Sequence, residues 1–213
     1  MNMKKYLLGV VATGVVAMAW SAGAAANLVQ NGSFESLVGG DFSGSFKTVN
    51  NGESTINNWT VGETSVDIVK STYPVYDGTY AIDMAGSPGP GSLSQSISGS
   101  VASQAYLLSF WTSSNGGPFT AAMSVLWNGA EVGGSPVDSP AQGYWTEHTF
   151  TVYGTGTDTL AFKDLRGGNN NGVVLDKVSL TAVPLPPAVI LFGSVLFGFS
   201  VVARKRNRSA LAA

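Results

Sequence analysis

Clusters of glycine, asparagine, serine and proline interrupt the central part of this 213-residue chain at short intervals, and they strongly limit what it can fold into. Four of the clusters read GSPGPGS, SSNGGP, NGAEVGG and RGGNNNG. These residue types form turns because they accept backbone conformations that other side chains resist, or hydrogen-bond to nearby backbone groups. No stretch between residues 27 and 183 shows a long helical period, so we predict that this part is built from strands.

Short runs rich in β-branched and aromatic residues lie between the turn clusters, and several of them alternate in polarity. Leu93, Gln95 and Ile97, for example, alternate with serines. Eight such runs read SVDIVK, TYAIDM, SLSQSIS, AYLLSFWT, AAMSVLW, TEHTFTVY, TLAFKDL and VVLDKVSL. Strands of this length and spacing predict an all-β, antiparallel sandwich of jelly-roll type, and residues 27–183 are numerous enough for one domain with a sizeable core.

The first 26 residues have the pattern of a secretory signal peptide. Two lysines precede an apolar run from Tyr6 to Trp20, and Ala24 to Ala26 provide the small residues that signal peptidase requires. We therefore expect export, with cleavage before Asn27. The alternative is an uncleaved anchor helix.

A second apolar run lies near the C terminus and extends from Ala188 to Ala203 without a charged residue. A helix of this length rises about 24 Å, and beginning it at Leu185 brings it close to the roughly 30 Å of a hydrocarbon core. The basic cluster RKRNR follows, and such clusters remain on the cytoplasmic side of a membrane. We expect a transmembrane helix that leaves residues 209–213 in the cytoplasm. A buried core helix is the alternative.

The short proline motif, the apolar run and the basic end together resemble a PEP-CTERM sorting signal over residues 184–208. The resemblance implies an exosortase-type partner that recognises the motif and processes the segment during export. It also implies an inner-membrane anchor first, and a place at the cell surface or in the extracellular matrix after processing. A leucine stands where the family usually has glutamate. The residues of the predicted sorting motif are Pro184, Leu185, Pro186, Arg204, Lys205 and Arg206.

Charge is divided unevenly between the central part and the tail. All 13 acidic residues lie between Glu35 and Asp176, and residues 27–183 contain only five basic residues, so 5 − 13 gives a net charge of −8 there. A surface this acidic is a poor partner for nucleic acid, which requires a basic face. The chain has no cysteine, which excludes disulfides, cysteine zinc sites and thiol nucleophiles.

Six segments of the central part, in this order, resemble the choice-of-anchor C family: NLVQNGSFES, INNWTVGETSVDIV, YDGTYAIDMAG, GSLSQSI, YLLSFWTSSN and VVLDKVSL. That family carries interchangeable C-terminal anchors and is related to a domain abundant in plant cell walls. It is similar to galactose-binding-like jelly rolls, the fold of many carbohydrate-binding modules. The resemblance therefore implies a galactose-binding-like fold over residues 27–183 and a cell-surface setting, but no mechanism.

One carboxylate has an unexpected place in the polarity pattern. Asp176 shares its alternation with Val174, Val178 and Leu180, which predicts that all four face the core. A carboxylate on an apolar face must be paired or must bind a cation. The alternatives are that Asp176 faces solvent after a bulge, or that it pairs with Lys177 or Arg166.

Glu35 follows Phe34 in the segment NGSFES, which precedes the eight runs and which we take as a further, first strand. The first and last strands of a jelly roll lie close together, so Glu35 and Asp176 could meet. Jelly-roll carbohydrate modules with a similar start and end hold a structural calcium ion through these two acids. The resemblance thus implies a structural Ca²⁺ site on Glu35 and Asp176. Calcium prefers six to eight oxygen ligands, so Asp83 and backbone carbonyls would complete it.

Sugar binding would use aromatic rings, which stack on the apolar face of a pyranose. A sandwich of this size needs most of its aromatic residues inside, and we expect Trp59 and Trp111 in the core. Two tyrosines flank a proline in the segment STYPVYDG, which is predicted to be a loop. The expected ligand-binding residues are Tyr73, Tyr76 and Tyr144.

Catalytic motifs are scarce. His148 is the only histidine, and its alternation with Phe150 and Val152 favours a structural role. No Gly-x-Ser-x-Gly elbow is present, although the acids leave open a carboxylate pair for glycoside hydrolysis. We expect no enzyme, but an exported module that contacts polysaccharide. The alternatives are a structural envelope or matrix protein without a sugar site, and a glycoside hydrolase.

Overall fold

Twelve strands run through the residues that the computed structural model describes, which are 26–116, 121–165 and 170–184, and all their pairings are antiparallel. In chain order they are β1 (Phe46–Asn50), β2 (Thr60–Glu63), β3 (Ser65–Val69), β4 (Ala81–Asp83), β5 (Gly91–Ile97), β6 (Ala105–Ser114), β7 (Ala122–Trp127), β8 (Ala130–Glu131), β9 (Val137–Asp138), β10 (Thr146–Tyr153), β11 (Asp158–Asp164) and β12 (Val173–Ala182).

The strands form two sheets. Sheet 1 has the order β1-β3-β4-β12-β6-β10, and sheet 2 has the order β2-β5-β11-β7-β8, with β9 also paired to β7. Each of the eight runs that the sequence predicted as strands contains an observed strand. The prediction of an all-β, antiparallel sandwich is confirmed.

The core lies between the two sheets, and strand alternation delivers its side chains. In β5, Leu93, Gln95 and Ile97 are buried, while the serines between them are at least partly exposed. The largest buried rings include Phe110 from sheet 1 and Phe162 from sheet 2, whose centroids are 5.1 Å apart. Truncating a phenylalanine of this kind to alanine typically costs about 3–5 kcal/mol, so these contacts contribute much of the stability.

The outer face of sheet 1 is partly covered by the segment of residues 70–80, here named the cover loop. Val69 of β3 and Ala81 of β4 are buried on this outer face because Tyr73 and Val75 of the loop pack against them and against Val174. Further along the same strands, Asp67 is buried beside Ser87, to which it is hydrogen-bonded. A sandwich strand ordinarily has one solvated face. The cover loop therefore creates a second, small apolar layer outside the main core.

A bulge in β12 moves Asp176 to this outer layer. The register of β12 against β6 shifts between Asp176 and Ser179, and Lys177 has a positive φ of 50°. Val178 and Leu180 face the main core, whereas Asp176 points outward beneath the cover loop and is 0% exposed. The expectation that Val174 and Asp176 share the core face with Val178 and Leu180 is wrong, because the bulge breaks the alternation and leaves Val174 and Asp176 on the outer face. Exposure to solvent, its first alternative, is also wrong.

Both ends of the described domain lie together. Asn27 forms a β-bridge with Thr181, and its side-chain Oδ1 accepts the N–H groups of Val29 (3.0 Å) and Leu180 (2.8 Å). The predicted transmembrane helix, nearly all of the signal peptide and the sorting motif beyond Pro184 lie outside the described residues and remain predictions. Within the described ranges, no helix has the length and apolar character needed to cross a membrane.

Candidate functional site

Three aromatic side chains form a cluster on the outer face of sheet 1, here named the aromatic platform: Tyr76, Trp111 and Trp145. The rings of Tyr76 and Trp111 are stacked, with centroids 4.0 Å apart and planes 14° from parallel. Trp145 meets Tyr76 edge-on, with centroids 5.4 Å apart and an interplanar angle of 60°. Tyr76 is 36% exposed, and both tryptophans are partly exposed, so the cluster reaches solvent.

Strand alternation and the cover loop bring these three rings together. In β6, Phe110 points into the core, so the next residue, Trp111, points outward. Trp145 immediately precedes β10, the edge strand paired with β6. Tyr76 belongs to the cover loop, so its position depends on how that loop is held.

Asp176 holds the middle of the cover loop. Its Oδ2 accepts the backbone N–H groups of Tyr76 and Asp77, both at 2.9 Å, and its Oδ1 accepts the N–H of Lys177 at 2.6 Å. Burial raises the pKa of Asp176 to about 7, although these N–H donors act in the opposite direction. The carboxylate fixes the backbone beneath Tyr76 and thereby sets the position of its ring.

Glu35 holds the end of the same loop. Its Oε1 accepts the N–H groups of Thr79 and Tyr80, both at 2.8 Å. Gly78 lies against this carboxylate with a φ of +78°, and a Cβ atom there would lie 2.5 Å from Glu35 Cδ. The position requires glycine both for its left-handed backbone and for its lack of a side chain.

Asp41 joins the two ends of the cover loop. It accepts hydrogen bonds from Lys70 Nζ and, at 2.6 Å, from the hydroxyl of Tyr80. The bond from Lys70, followed by that from Tyr80, lowers the pKa of Asp41 to about 2. The same bond to Asp41, together with burial, raises the pKa of Tyr80 to about 12.

A cation lies beside the aromatic platform. Lys177 Nζ is 5.2 Å from the centroid of the Tyr76 ring, within the range of a cation–π interaction. The bulge that turns Asp176 outward also places Lys177 here. The platform therefore offers aromatic surface and a positive charge within an otherwise acidic domain.

The structure separates the three tyrosines that the sequence singled out. Tyr76 is part of the platform, and Tyr144, next in the chain to Trp145, is 73% exposed. Tyr73 packs with the outer apolar layer and meets Phe46 edge-on at 6.1 Å, so it supports the loop.

The expectation about the tryptophans is half right. Trp59 is buried at 3% exposure, with its ring 5.5 Å from Phe34. Trp111 is not a core residue, and Trp145 joins it on the outer face. The outward position of Trp111 could have been predicted from the sequence. Leu108 and Phe110 alternate towards the core, so the adjacent Trp111 points to the opposite face of the sheet.

The expectation that Glu35 lies at the first strand is wrong, because β1 begins at Phe46 and Glu35 belongs to the irregular segment before it. Glu35 and Asp176 nevertheless bind the same segment of backbone, at successive positions. Asp83 binds a different part of the backbone. Its Oδ1 accepts hydrogen bonds from the N–H groups of Ala85 (3.0 Å) and Gly172 (3.1 Å), and its Oδ2 accepts one from the side-chain amide of Asn115. Among the described residues, no group of three or more His, Cys, Asp or Glu side chains is arranged to hold a metal ion. Glu35, Asp83 and Asp176 have the oxygen ligands that calcium prefers, but the three side chains are not gathered around one point. The calcium site remains a prediction.

His148 has a structural environment. Its Nε2 lies 2.9 Å from Thr112 Oγ1, and its ring stacks on Phe110 at 5.3 Å. Burial lowers the pKa of His148, which favours the neutral imidazole.

Comparison with known families identifies the domain. Residues 27–165, more than half of the chain, match the family described as "Protein of unknown function (DUF642)". The chain belongs to the DUF642 family. A curated relative, halomucin from Haloquadratum walsbyi, is 34% identical over 163 residues; the match covers 72% of this chain but 2% of halomucin.

Solved structures share the fold of this DUF642 domain. The N-terminal CBM22-1–CBM22-2 tandem domain of Paenibacillus barcinonensis Xyn10C superposes with a TM-score of 0.52 and 15% identity, covering 79% of this chain and 48% of that one. The CBM22-1 xylan-binding domain of the same protein gives 0.49 and 13%, covering 78% and 100%. A family 35 carbohydrate-binding module from Clostridium thermocellum gives 0.46 and 15%, covering 66% and 100%. The sandwich resembles the jelly rolls of carbohydrate-binding modules.

Proposed function

We propose that this DUF642 domain is an exported, non-catalytic module that binds polysaccharide through the aromatic platform. The observation that carries the proposal is the solvent-facing group of Tyr76, Trp111 and Trp145 on a sandwich that superposes on about half of a CBM22 tandem structure. The flat C–H face of a pyranose packs on such rings, while amides, acids and hydroxyls bond its edge.

The hydrogen bonds that hold the cover loop in place support a binding role for the aromatic platform. Carboxylates of Glu35, Asp41 and Asp176 fix the cover loop from three directions. A surface fixed before the ligand arrives loses less conformational entropy on binding. The loop therefore presents Tyr76 in one orientation.

Export and sorting complete the proposal. Signal peptidase would release the domain at Asn27, and an exosortase-type enzyme would process the C-terminal segment, which first anchors the protein in the inner membrane. Val183 leaves the domain beside Ala105, to whose carbonyl it donates a hydrogen bond of 2.9 Å. Trp111 lies six residues further along β6, about 20 Å away at 3.3 Å per residue. The platform would thus face away from the anchor, towards the surface or matrix.

A glycan array tests the proposal. We expect the purified protein to bind one or a few polysaccharide classes, and an array in calcium and in chelator separates platform binding from any calcium requirement. A variant with Tyr76→Ala and Trp145→Ala should lose the signal, whereas Tyr153→Ala, at a side chain 62% exposed further along β10, should keep it. Absence of binding to every glycan would favour the alternative of a structural matrix protein.

A further inference from the structure

A second concave surface lies beside sheet 2. It is a cavity of about 440 Å³ at the start of β2 and the end of β5, here named the amide cleft. This volume is within the roughly 300–1,000 Å³ of small-ligand sites. The lining residues on which the argument rests are Gln30, Asn58, Trp59, Thr60, Ser96 and Ser98.

A buried glutamine fixes the walls of the amide cleft. Gln95 is 5% exposed; its Oε1 accepts the N–H of Gln30 at 2.8 Å, and its Nε2 donates to the carbonyls of Gln30 (2.8 Å) and Asn58 (3.0 Å). One side chain thus ties the N-terminal segment and the start of β2 to β5. Trp59 is held between them by a 3.0 Å bond from its Nε1 to the carbonyl of Asn31.

The polar side chains that line the cleft still have hydrogen-bonding capacity. The amides of Gln30 and Asn58 and the hydroxyls of Thr60, Ser96 and Ser98 form no hydrogen bond with another described residue. Each of these groups both donates and accepts. The hydroxyls of a sugar also donate and accept hydrogen bonds, so each can pair with either a donor or an acceptor of the cleft.

The lining carries no charged side chain among the described residues. A phosphate, a carboxylate or a metal ion leaving water for such a cleft would lack a compensating charge. A neutral, polyhydroxylated ligand loses only hydrogen bonds to water, which these amides and hydroxyls replace. The absence of charged side chains in the described lining and its hydrogen-bonding groups therefore both favour a neutral, polyhydroxylated ligand.

We propose that the amide cleft is a second saccharide site, which binds a neutral oligosaccharide. The inference extends the proposed function, since it takes saccharide as the ligand class, but it depends on different residues. The platform belongs to sheet 1 and the cleft to sheet 2, so the two sites do not compete. One domain can hold two glycan chains and link them.

The test uses the ¹⁵N-labelled full chain carrying Tyr76→Ala and Trp145→Ala, which removes two of the three platform rings and with them the expected platform binding. The probes are cellohexaose, xylohexaose and mannohexaose, with hexagalacturonate as the charged comparator. We expect at least one neutral hexaose to shift the side-chain amide resonances of Gln30 and Asn58 in a saturable manner. Hexagalacturonate should leave them in place.

Matched variants locate the binding. Ser96→Arg places a long side chain on an exposed position of the cleft, and Gln30→Ala removes an exposed amide without touching the backbone bonds to Gln95. Each should weaken hexaose binding at least tenfold, whereas Thr157→Arg, at an exposed turn position outside the cleft, should not.

Unmoved Gln30 and Asn58 resonances with all neutral probes would overturn the cleft proposal, as would wild-type affinity in both cleft variants. A platform failure has a different signature: glycan binding on the array that survives Tyr76→Ala with Trp145→Ala but is lost with Ser96→Arg contradicts the platform and supports the cleft.

Discussion

Two carboxylates of this domain, Glu35 and Asp176, act on backbone N–H groups, whereas Asp41 pairs with the basic side chain of Lys70. Glu35 and Asp176 each accept two N–H groups of the cover loop through one oxygen atom. Hydrogen bonds to a charged acceptor are worth more than neutral ones, about 1.5–3 kcal/mol each. Two side chains distant in the sequence thus determine where Tyr76 lies.

Gly78 allows a direct test of how closely the cover loop fits Glu35. Gly78→Ala should destabilise the protein by about 1–2 kcal/mol for the left-handed backbone and by about 1–3 kcal/mol more for the clash with the carboxylate. Gly52 is the matched control, since its φ of +83° is similar but nothing lies within 4 Å of an added Cβ. The free energy of unfolding, measured in urea, should fall clearly further for Gly78→Ala. Equal losses in the two variants would show that the loop does not rest on Glu35.

The buried carboxyl of Asp83 predicts an unusual dependence of stability on pH. Burial raises the pKa of Asp83 to about 8, and the neighbouring Asp67 adds to the effect, while the bond from Asn115 opposes it. The folded state then holds a proton that the unfolded chain, with a pKa near 3.8, releases. Stability from this group is complete below about pH 4 and is lost as the pH rises towards about 8.

Melting temperatures between pH 4 and pH 8 check this expectation. The wild type should become less stable across the range, and Asp83→Asn should reduce the slope, because the amide cannot titrate. Part of the slope should remain, because burial also raises the pKa of Asp176, to about 7. Asp158, whose pKa is lowered to about 2, contributes in the opposite direction and only below about pH 4. Stability that rises from pH 4 to pH 8, or an unchanged slope in the variant, would contradict the account.

At the scale of the elements, alternation predicted the strands well. The pattern of β5, with Leu93, Gln95 and Ile97 inward, is visible in the sequence because a two-residue period is a local property. The side of the sheet to which Asp176 belongs was not predictable in this way. The bulge at Lys177 reverses the alternation of β12, and it depends on pairing with β6, which is distant in the chain.

The packing of the cover loop could not be predicted from the sequence either. Its segment was predicted to be a loop, but nothing local indicated that Tyr73 and Val75 would bury Val69 and Ala81 on the outer face of sheet 1. That burial arises from contacts between segments separated in sequence. Trp111, by contrast, was predictable, since its neighbour Phe110 takes the core side.

The cover loop is also where the predicted calcium site is tested. An ion that binds only the folded state, at a hundredfold excess over its dissociation constant, stabilises it by about 2.7 kcal/mol. For a chain of this size that should raise the melting temperature by several degrees. Glu35→Gln and Asp176→Asn should each lose most of the shift, and the double variant little more. If the wild type melts at the same temperature in calcium and in chelator, the predicted calcium site on Glu35 and Asp176 is wrong.

At the scale of the whole molecule, the two proposed binding surfaces lie on different sheets, and the first and last described residues lie together at one end. Sheet 1 carries the aromatic platform and sheet 2 borders the amide cleft. Asn27 and Thr181 pair at one end of the domain, and Thr181 lies opposite Leu107, four residues or about 13 Å along β6 from Trp111. Such a layout suits a module held by one end that contacts glycans elsewhere.

Calorimetric titration of the best polysaccharide from the array tests the central claim most directly. Tyr76→Ala should weaken binding about tenfold or more, equivalent to about 1.4 kcal/mol, because a stacking surface is lost. The same variant should lower the melting temperature by only a few degrees, since its stack on Trp111 is worth about 0.5–1.5 kcal/mol. Tyr153→Ala should bind as the wild type does. Equal dissociation constants for the wild type and Tyr76→Ala would contradict the assignment of the aromatic platform as the polysaccharide site.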